Sequence, residues 1–123
     1  MSKEIYFFDS YAIIEIIKGS PAYERYAEAI IITTKLNIFE VYLSVFKTLG
    51  EQKADEFLEY YYKFQVDLQK KVIKEAAIMR SKYIRRNVSM TDCIGYCIAK
   101  LLGIKFLTGD KEFKHLENVE FVK

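Results

Sequence analysis

The chain of 123 residues carries a formal net charge of +2, and 51% of its residues are apolar. This length and composition are typical of a single globular domain, here residues 1–123, and no apolar run reaches the roughly 18 residues that cross a membrane. The single histidine excludes a zinc site with three histidines. The two cysteines do not make a disulfide framework, so we expect a cytoplasmic protein. Without a long apolar run, we expect no membrane contact.

The first half of the chain alternates between short apolar strands and helices. In chain order we predict a strand at 4–8, a helix at 10–17, a short helix from residue 20, a strand at 29–33, and helices at 34–49 and 51–63. Three successive isoleucines give the second strand its β-branched character. Thr34 can cap the helix that follows this strand, and Gly50 can end that helix.

The second half continues the alternation. We predict a strand at 64–68, helices at 69–86 and 89–102, a strand at 104–108, a short helix at 111–116 and a strand at 119–122. Ser89 can cap the second of these helices, and Gly103 can end it. Short apolar strands separated by helices are typical of a parallel sheet with both faces covered. We therefore predict an α/β fold with three layers, α/β/α, around a central, five-stranded and mainly parallel sheet.

Four acidic residues occupy related places in this pattern. Asp9 follows the first strand and Asp110 closely follows the strand at 104–108, whereas Glu40 and Asp92 lie near the starts of two helices. In an α/β sheet, the carboxyl ends of the strands and the N-termini of the following helices share one edge, where ligands bind. We expect the four carboxylates to converge at that edge.

A cluster of this kind needs a counter-charge. Two carboxylates about 5 Å apart repel by about 3 kcal/mol at an effective dielectric constant near 20, so the cluster must bind cations or take up protons. Oxygen ligands without histidine or thiolate favour Mg²⁺ or Mn²⁺ over zinc. Such a cation can activate water and stabilise charge on a phosphoryl oxygen, which is chemistry that requires no histidine.

Each acid also has a structural explanation. Asp9 and Asp110 can cap the helices that follow them, and Asp92 stands three residues after Ser89, as in a capping box. Glu40 falls early in its helix, where a negative charge interacts favourably with the helix dipole. These explanations treat one residue at a time, whereas a cation site accounts for the shared position of all four.

The acids lie in segments whose order and spacing resemble those of one family. The segments are Ile5-Tyr6-Phe7-Phe8-Asp9-Ser10, then Asn37-Ile38-Phe39-Glu40 after Thr33-Thr34, then Ser89-Met90-Thr91-Asp92-Cys93-Ile94, then Leu107-Thr108-Gly109-Asp110-Lys111-Glu112-Phe113, and finally the closing strand Val119-Glu120-Phe121-Val122. In these features the chain resembles a PIN-domain nuclease, and most of all the small VapC-type toxins.

The resemblance implies a PIN-like domain that acts as an Mg²⁺- or Mn²⁺-dependent endoribonuclease, a hydrolase that cleaves RNA and leaves a 3′-hydroxyl and a 5′-phosphate. The catalytic residues and metal ligands would be Asp9, Glu40, Asp92 and Asp110. We expect Ser10 and Thr108 to support these carboxylates or to contact a phosphate. The resemblance also implies an antitoxin protein as a partner and a homodimer. Residues 51–87 carry no motif of the family.

A basic segment offers a second candidate site. The predicted helix at 69–86 contains seven basic residues and one acid, Glu75. The proposed RNA-binding residues are Lys70, Lys71, Lys74, Arg80, Lys82, Arg85 and Arg86. Such a helix can follow a nucleic-acid backbone through salt-sensitive contacts. The alternative is a solvated helix face with the stripe Val72-Ile73-Ala76-Ala77 packed inside.

Other unusual residues have a structural and a functional interpretation. Three consecutive tyrosines, residues 60–62, cover most directions around a helix, so at least one faces outward and can serve a dimer or antitoxin interface. Core packing with one exposed tyrosine and base stacking are the alternatives. For Cys93 and Cys97 we expect buried packing, and for His115 a solvated position.

Two rival functions fit parts of the pattern. A catalytically inactive PIN-like module would bind RNA or a protein partner without metal-dependent turnover. A phospho-acceptor similar to a response-regulator receiver would need paired acids before the first helix and a lysine after a late strand. Asp9 has no second acid beside it, which disfavours the receiver.

Overall fold

The structure, a computed structural model, describes residues 3–83 and 88–123. The strands in these ranges are β1 (Ile5–Phe8), β2 (Ile30–Ile32), β3 (Lys105–Thr108) and β4 (Val119–Phe121). The α-helices are α1 (Ser10–Lys18), α2 (Lys35–Leu49), α3 (Glu51–Tyr62), α4 (Lys70–Lys82) and α5 (Met90–Leu102). Short 3₁₀ helices cover Pro21–Tyr26 and Lys111–Phe113.

The four strands form one parallel sheet in the order β2-β1-β3-β4. Tyr6 of β1 lies opposite Ile31 of β2 and Lys105 of β3, and Thr108 lies opposite Phe121 of β4. Because all pairs are parallel, every strand ends at the same edge of the sheet. The predicted α/β class and the parallel sheet are confirmed.

The predicted strand at 64–68 is wrong, and the described sheet has four strands instead of five. In this segment only Gln65 forms a bridge, opposite Thr33. The backbone N–H of Thr33 donates to the carbonyl of Phe64, and that of Val66 donates to the carbonyl of Thr33. A ladder needs successive paired residues, whereas this segment meets β2 one residue past its end.

Two apolar clusters cover the two faces of the sheet. Alternate side chains of a strand point to opposite faces. Tyr6 and Phe8 accordingly join one cluster with residues of α1, α2 and α3, whereas Phe7 joins the other with residues of α4 and α5. Gly95 brings α5 close to the sheet, since a Cβ at this position would lie 2.6 Å from Cε1 of Phe7. The helices thus form layers on both sides of the sheet.

Helix ends follow the capping residues. The side chain of Thr34 accepts a hydrogen bond from the backbone of Asn37 at the start of α2, and Gly103 ends α5 in the left-handed conformation. The predicted helix at 111–116 is shorter than expected, a single 3₁₀ turn. None of the helices in the described part of the chain has the length and apolar character needed to cross a membrane.

Candidate active site

Asp9 stands directly after β1 and is 2% exposed. Its Oδ1 accepts a hydrogen bond from the backbone N–H of Ala12 at 2.8 Å, and its Oδ2 accepts one from the hydroxyl of Thr108. Burial raises the pKa of Asp9 to about 7, although both hydrogen bonds lower it, and the charges of Asp92 and Asp110 add to the increase. The ionised form of Asp9 is therefore unfavourable unless a cation lies near it.

Asp92 lies in the first turn of α5 and forms the predicted capping box with Ser89. The backbone N–H of Ser89 donates to Oδ2 of Asp92, and the backbone N–H of Asp92 donates to Oγ of Ser89, both at 3.1 Å. Burial raises the pKa of Asp92, hydrogen bonds from the backbone and side chain of Ser89 lower it, and the charges of Asp110 and Glu40 raise it further. Asp92 therefore takes part in the capping box of α5 and also belongs to the group of acids.

Glu40 is held by a chain of polar side chains at the start of α2. The hydroxyl of Ser10 donates to Oε1 of Glu40 at 2.5 Å, and Nδ2 of Asn37 donates to Oγ of Ser10 at 3.0 Å. The hydroxyl of Thr34 donates to Oδ1 of Asn37 at 2.6 Å. Ser10 therefore contacts one of the four acids. Asn37 was not predicted to support this chain of hydrogen bonds. Its position three residues before Glu40, on the same face of the helix, could have indicated it.

Asp110 connects the end of β3 to the turn that follows. Its Oδ1 accepts a hydrogen bond from the backbone N–H of Glu112 at 3.0 Å, which caps the 3₁₀ helix. Its own N–H donates to Oγ1 of Thr108 at 3.0 Å. Because the same hydroxyl donates to Asp9, Thr108 connects two of the acids.

Three of the four acids line one cavity of about 350 Å³ at the carboxyl edge of the sheet. The lining residues are Asp9, Tyr11, Asp92, Gly109, Asp110, Lys111 and Lys123. Glu40 is not among them, but its charge acts on Asp92 and it contacts Ser10, the neighbour of Asp9. The four acids, from distant parts of the sequence, therefore meet in one region.

The donor chemistry of this region fits a hard divalent cation. In residues 3–83 and 88–123, no three His, Cys, Asp or Glu side chains stand ready-arranged around a single ion. Each acid accepts a hydrogen bond from a backbone N–H group or a hydroxyl of the protein. All the donors are nevertheless oxygens, and a cation would favour the ionised form of the buried Asp9.

The basic residues of α4 lie in both halves of the helix. Lys71 and Lys82 line the same cleft, and Arg80 lines another. The charge of Arg80 acts on Cys93 and that of Glu75 acts on Cys97, so α4 runs antiparallel to α5. Its first lysines therefore lie toward the C-terminal end of α5. A separation of nine residues corresponds to about 13 Å along a helix.

The remaining basic residues have mixed positions. Lys70, Lys74 and Lys82 are exposed, and Arg80 is half-buried. Arg85 and Arg86 lie outside the described residues. Of the stripe expected to pack inside, Val72 and Ala76 are buried, but Ile73 and Ala77 are exposed. The exposed surface of α4 therefore carries both basic and apolar side chains, and only part of the expected apolar stripe is buried.

Helices α2 and α3 present an apolar groove to solvent. The groove has a volume of about 510 Å³ and is lined by Lys35, Ile38, Phe39, Tyr42, Leu43, Phe46, Leu58 and Tyr62. Phe39 is 68% exposed. Of the three consecutive tyrosines, Tyr61 is buried, whereas Tyr60 and Tyr62 are about half exposed. At least one of these tyrosines faces outward, as predicted.

The cysteines and the histidine take the expected structural positions. Cys93 and Cys97 are free and buried in α5, where burial raises the pKa of both thiols. His115 is exposed. None of the three lines the cavity that contains the acids.

The sequence matches one family of known proteins. A sequence model of the family described as PIN domain matches residues 6–119. No curated protein matches the chain at a significant level.

Solved structures of low sequence identity share the fold. The Mycobacterium tuberculosis toxin VapC20, which cleaves the sarcin-ricin loop, superposes with a TM-score of 0.77 at 14% identity, over 96% of this chain and 99% of that one. A toxin–antitoxin complex from Klebsiella pneumoniae gives a TM-score of 0.74 at 19% identity, over 94% and 95%. VapBC2 from Rickettsia felis, bound to a promoter DNA fragment, gives 0.72 at 17% identity, over 95% and 96%.

Proposed function

Because the chain belongs to the PIN domain family, we propose that it is a metal-dependent endoribonuclease and the toxin of a toxin–antitoxin pair. It would hydrolyse phosphodiester bonds of RNA as a single domain in the cytoplasm. The proposal rests on the arrangement of three of the acids. Asp9, Asp92 and Asp110 line one cavity at the carboxyl edge of a parallel sheet, where α/β folds bind their ligands.

Asp9, Glu40, Asp92 and Asp110 would hold Mg²⁺ or Mn²⁺. When bound, such a cation supplies positive charge for the phosphoryl oxygens and lowers the pKa of water. The neighbouring hydroxyls keep the carboxylates in place. Thr108 donates to Asp9, and Ser10 donates to Glu40. The donated hydrogen bond lowers the pKa of Asp9 and so favours the form that binds a cation.

The basic residues of α4 that lie near the start of α5 are proposed to contact RNA. Arg80 lies beside Met90 and Ile94, in the same part of the molecule as Asp92. Lys70, Lys71 and Lys74 lie in the half of α4 that is remote from it. We therefore propose that α4 contacts the RNA backbone through its C-terminal half.

The proposed partners are an antitoxin protein and a second copy of the chain. The groove between α2 and α3 supports a protein partner, because it exposes large apolar side chains, among them Phe39 and Phe46. Two similar structures are themselves complexes with partners, the toxin–antitoxin complex of K. pneumoniae and VapBC2 of R. felis.

The direct test is cleavage of a fluorescent single-stranded RNA by the wild type and by Asp9→Asn, with Mn²⁺ and with EDTA. The proposal predicts cleavage by the wild type with Mn²⁺ only, and a loss of at least about 100-fold in Asp9→Asn, because one ligand charge is removed. Asp55→Asn is the matched control. Asp55 is an exposed acid of α3 that accepts a hydrogen bond from Tyr42 at 2.8 Å.

The same assay separates the proposal from an inactive PIN-like module. Equal rates for the wild type and Asp9→Asn would remove Asp9 from the mechanism. RNA binding by the wild type without any turnover in Mn²⁺ would favour the module.

A further inference from the structure

Two lysines share the cavity with the three aspartates. Lys111 directly follows Asp110, and Lys123 lies two residues past β4. The backbone N–H of Val122 donates to the carbonyl of Thr108 at 2.9 Å, which extends the pairing of β4 with β3 to the sheet edge. Because the two strands are parallel neighbours, the chain leaves both at this edge, and each lysine reaches the cavity from its own strand.

Neither of these lysines forms an ion pair within the residues that the structure describes. Among the residues that the structure describes, the ion pairs are Lys53–Glu56, Lys100–Glu117 and Lys105–Glu120. Neither Lys111 nor Lys123 has a carboxylate oxygen within 4.0 Å in that part of the chain, and both are exposed. The cavity is therefore lined by three carboxyl groups and by two exposed lysines that form no ion pair in that part of the chain.

An aromatic contact holds one of these lysines near the acidic turn. Nζ of Lys123 lies 5.9 Å from the ring centroid of Tyr11, within the range of a cation–π interaction. The ring of Tyr11 packs directly on Gly109, since a Cβ on Gly109 would lie 2.1 Å from Cε1 of Tyr11. Tyr11 thus lies between Lys123 and the turn that carries Asp110.

We propose that Lys111 and Lys123 bind phosphate groups of a single-stranded RNA beside the carboxylate cluster. This inference rests on the proposed ribonuclease function. An RNA strand that enters an acidic cavity brings one negative charge with each nucleotide, and a cation at the aspartates compensates only the phosphate next to it. The two ammonium groups provide the charge for a neighbouring phosphate, and neither Lys70 nor Lys71 lines this cavity.

The test measures binding of a fluorescein-labelled single-stranded RNA by anisotropy in EDTA, which prevents metal-dependent turnover. The double variant Lys111→Ala/Lys123→Ala is compared with Lys70→Ala/Lys71→Ala, which removes the same charge from the remote end of α4. We expect the cavity variant to bind about 10-fold more weakly, and its plot of log K against log salt to become shallower by about 1.4, since each single-strand contact contributes about 0.7. The α4 variant should stay within about twofold of the wild type.

A charge-conserving variant excludes a purely structural effect. Lys111→Arg/Lys123→Arg should retain the affinity and salt dependence of the wild type. With Mn²⁺, the alanine variant should raise KM while kcat changes less than about twofold, the pattern expected when binding shared by the ground state and the transition state is lost. Equal losses in the cavity and α4 variants, an unchanged salt dependence, or no RNA binding by the wild type would each overturn the inference.

Failure of this inference is distinguishable from failure of the proposed function. A wild type that binds RNA through these lysines but never cleaves it with Mn²⁺ would contradict the ribonuclease and support the inference. A wild type that cleaves RNA while the cavity variant binds normally would do the opposite.

Discussion

The hydroxyl of Thr108 donates a hydrogen bond to Oδ2 of Asp9 across a sequence separation of 99 residues. Both residues are buried, with Thr108 at the end of β3 and Asp9 just past the end of the neighbouring strand β1. The same hydroxyl accepts a hydrogen bond from the backbone N–H of Asp110 at 3.0 Å. One small side chain therefore connects two of the proposed metal ligands.

Replacing Thr108 by valine removes this hydroxyl while nearly preserving the shape. We expect Thr108→Val to lose about 1–3 kcal/mol in the free energy of unfolding, because Asp9 would keep a buried oxygen without its partner. The pKa of Asp9 should rise further, and Mn²⁺ should bind more weakly. Chemical denaturation and calorimetric titration with Mn²⁺ measure the two effects. Thr108→Ser keeps the hydroxyl and should retain most of the stability and of the affinity for Mn²⁺. If Thr108→Val matched the wild type in both measurements, the hydrogen bond to Asp9 would be unimportant.

The raised pKa of Asp9 predicts how stability depends on pH without metal. The folded-state value of about 7 lies above the unfolded-state value of 3.8, so the folded protein binds more protons between these two values. The free energy of unfolding should therefore fall as pH rises from about 4 to about 7, by on the order of 3 kcal/mol. The pKa of Asp92 is shifted in the same direction.

Denaturation in EDTA at several pH values measures this dependence. Asp9→Asn removes the titrating group and should flatten the curve. Affinity for Mn²⁺ should show the reverse trend and increase with pH through 7, because protons compete with the cation. A stability that rises between pH 4 and 7, or an unchanged slope in Asp9→Asn, would mean that Asp9 is not the group responsible.

Gly109 is predicted to tolerate no side chain while Tyr11 is present. A methyl group at Gly109 would collide with the Tyr11 ring, so Gly109→Ala should cost about 1–3 kcal/mol through overpacking next to Asp110. Tyr11→Leu provides space, and the double variant Gly109→Ala/Tyr11→Leu should recover part of the loss. A double-mutant cycle from thermal unfolding gives the coupling energy. Additive effects would indicate that the two residues do not interact.

Several features of the fold could be predicted from the sequence because they depend on local chemistry. Thr34 and Ser89 cap α2 and α5 as expected, since a side-chain oxygen one residue before a helix accepts a hydrogen bond from one of its free N–H groups. The absence of a strand at 64–68 could not be predicted in this way. The composition of these residues is that of an extended segment, but whether such a segment pairs with a neighbouring strand depends on a partner elsewhere in the chain.

The candidate site could be predicted in part for a similar reason. The place of Asp9 after a strand and of Asp92 in a first turn follows from their neighbours in sequence. The approach of Lys123 to Asp110 depends on the register of β3 with β4, which no local pattern encodes. Likewise, the antiparallel packing of α4 on α5 decides which basic residues lie far from Asp92.

The apolar groove between α2 and α3 is predicted to serve binding and not folding. Phe39 and Phe46 are exposed, so Phe39→Glu/Phe46→Glu should change the free energy of unfolding by less than about 1 kcal/mol. The same variant should lose the proposed antitoxin partner in co-purification, but keep its RNA cleavage rate. Thr48→Glu, at an exposed position on the same helix, is the control. Normal co-purification of the phenylalanine variant would place the partner on another surface.

The proposed function requires that acids from distant parts of the chain form one site for a hard divalent cation. Anomalous scattering from crystals soaked in Mn²⁺ locates such a cation. We expect an anomalous peak in the cavity, within coordination distance of carboxylate oxygens of Asp9, Asp92 or Asp110, and no such peak in crystals of Asp9→Asn. A wild-type cavity without a peak, with these carboxylates still bound only to protein groups, would show that the acids do not form a cation site.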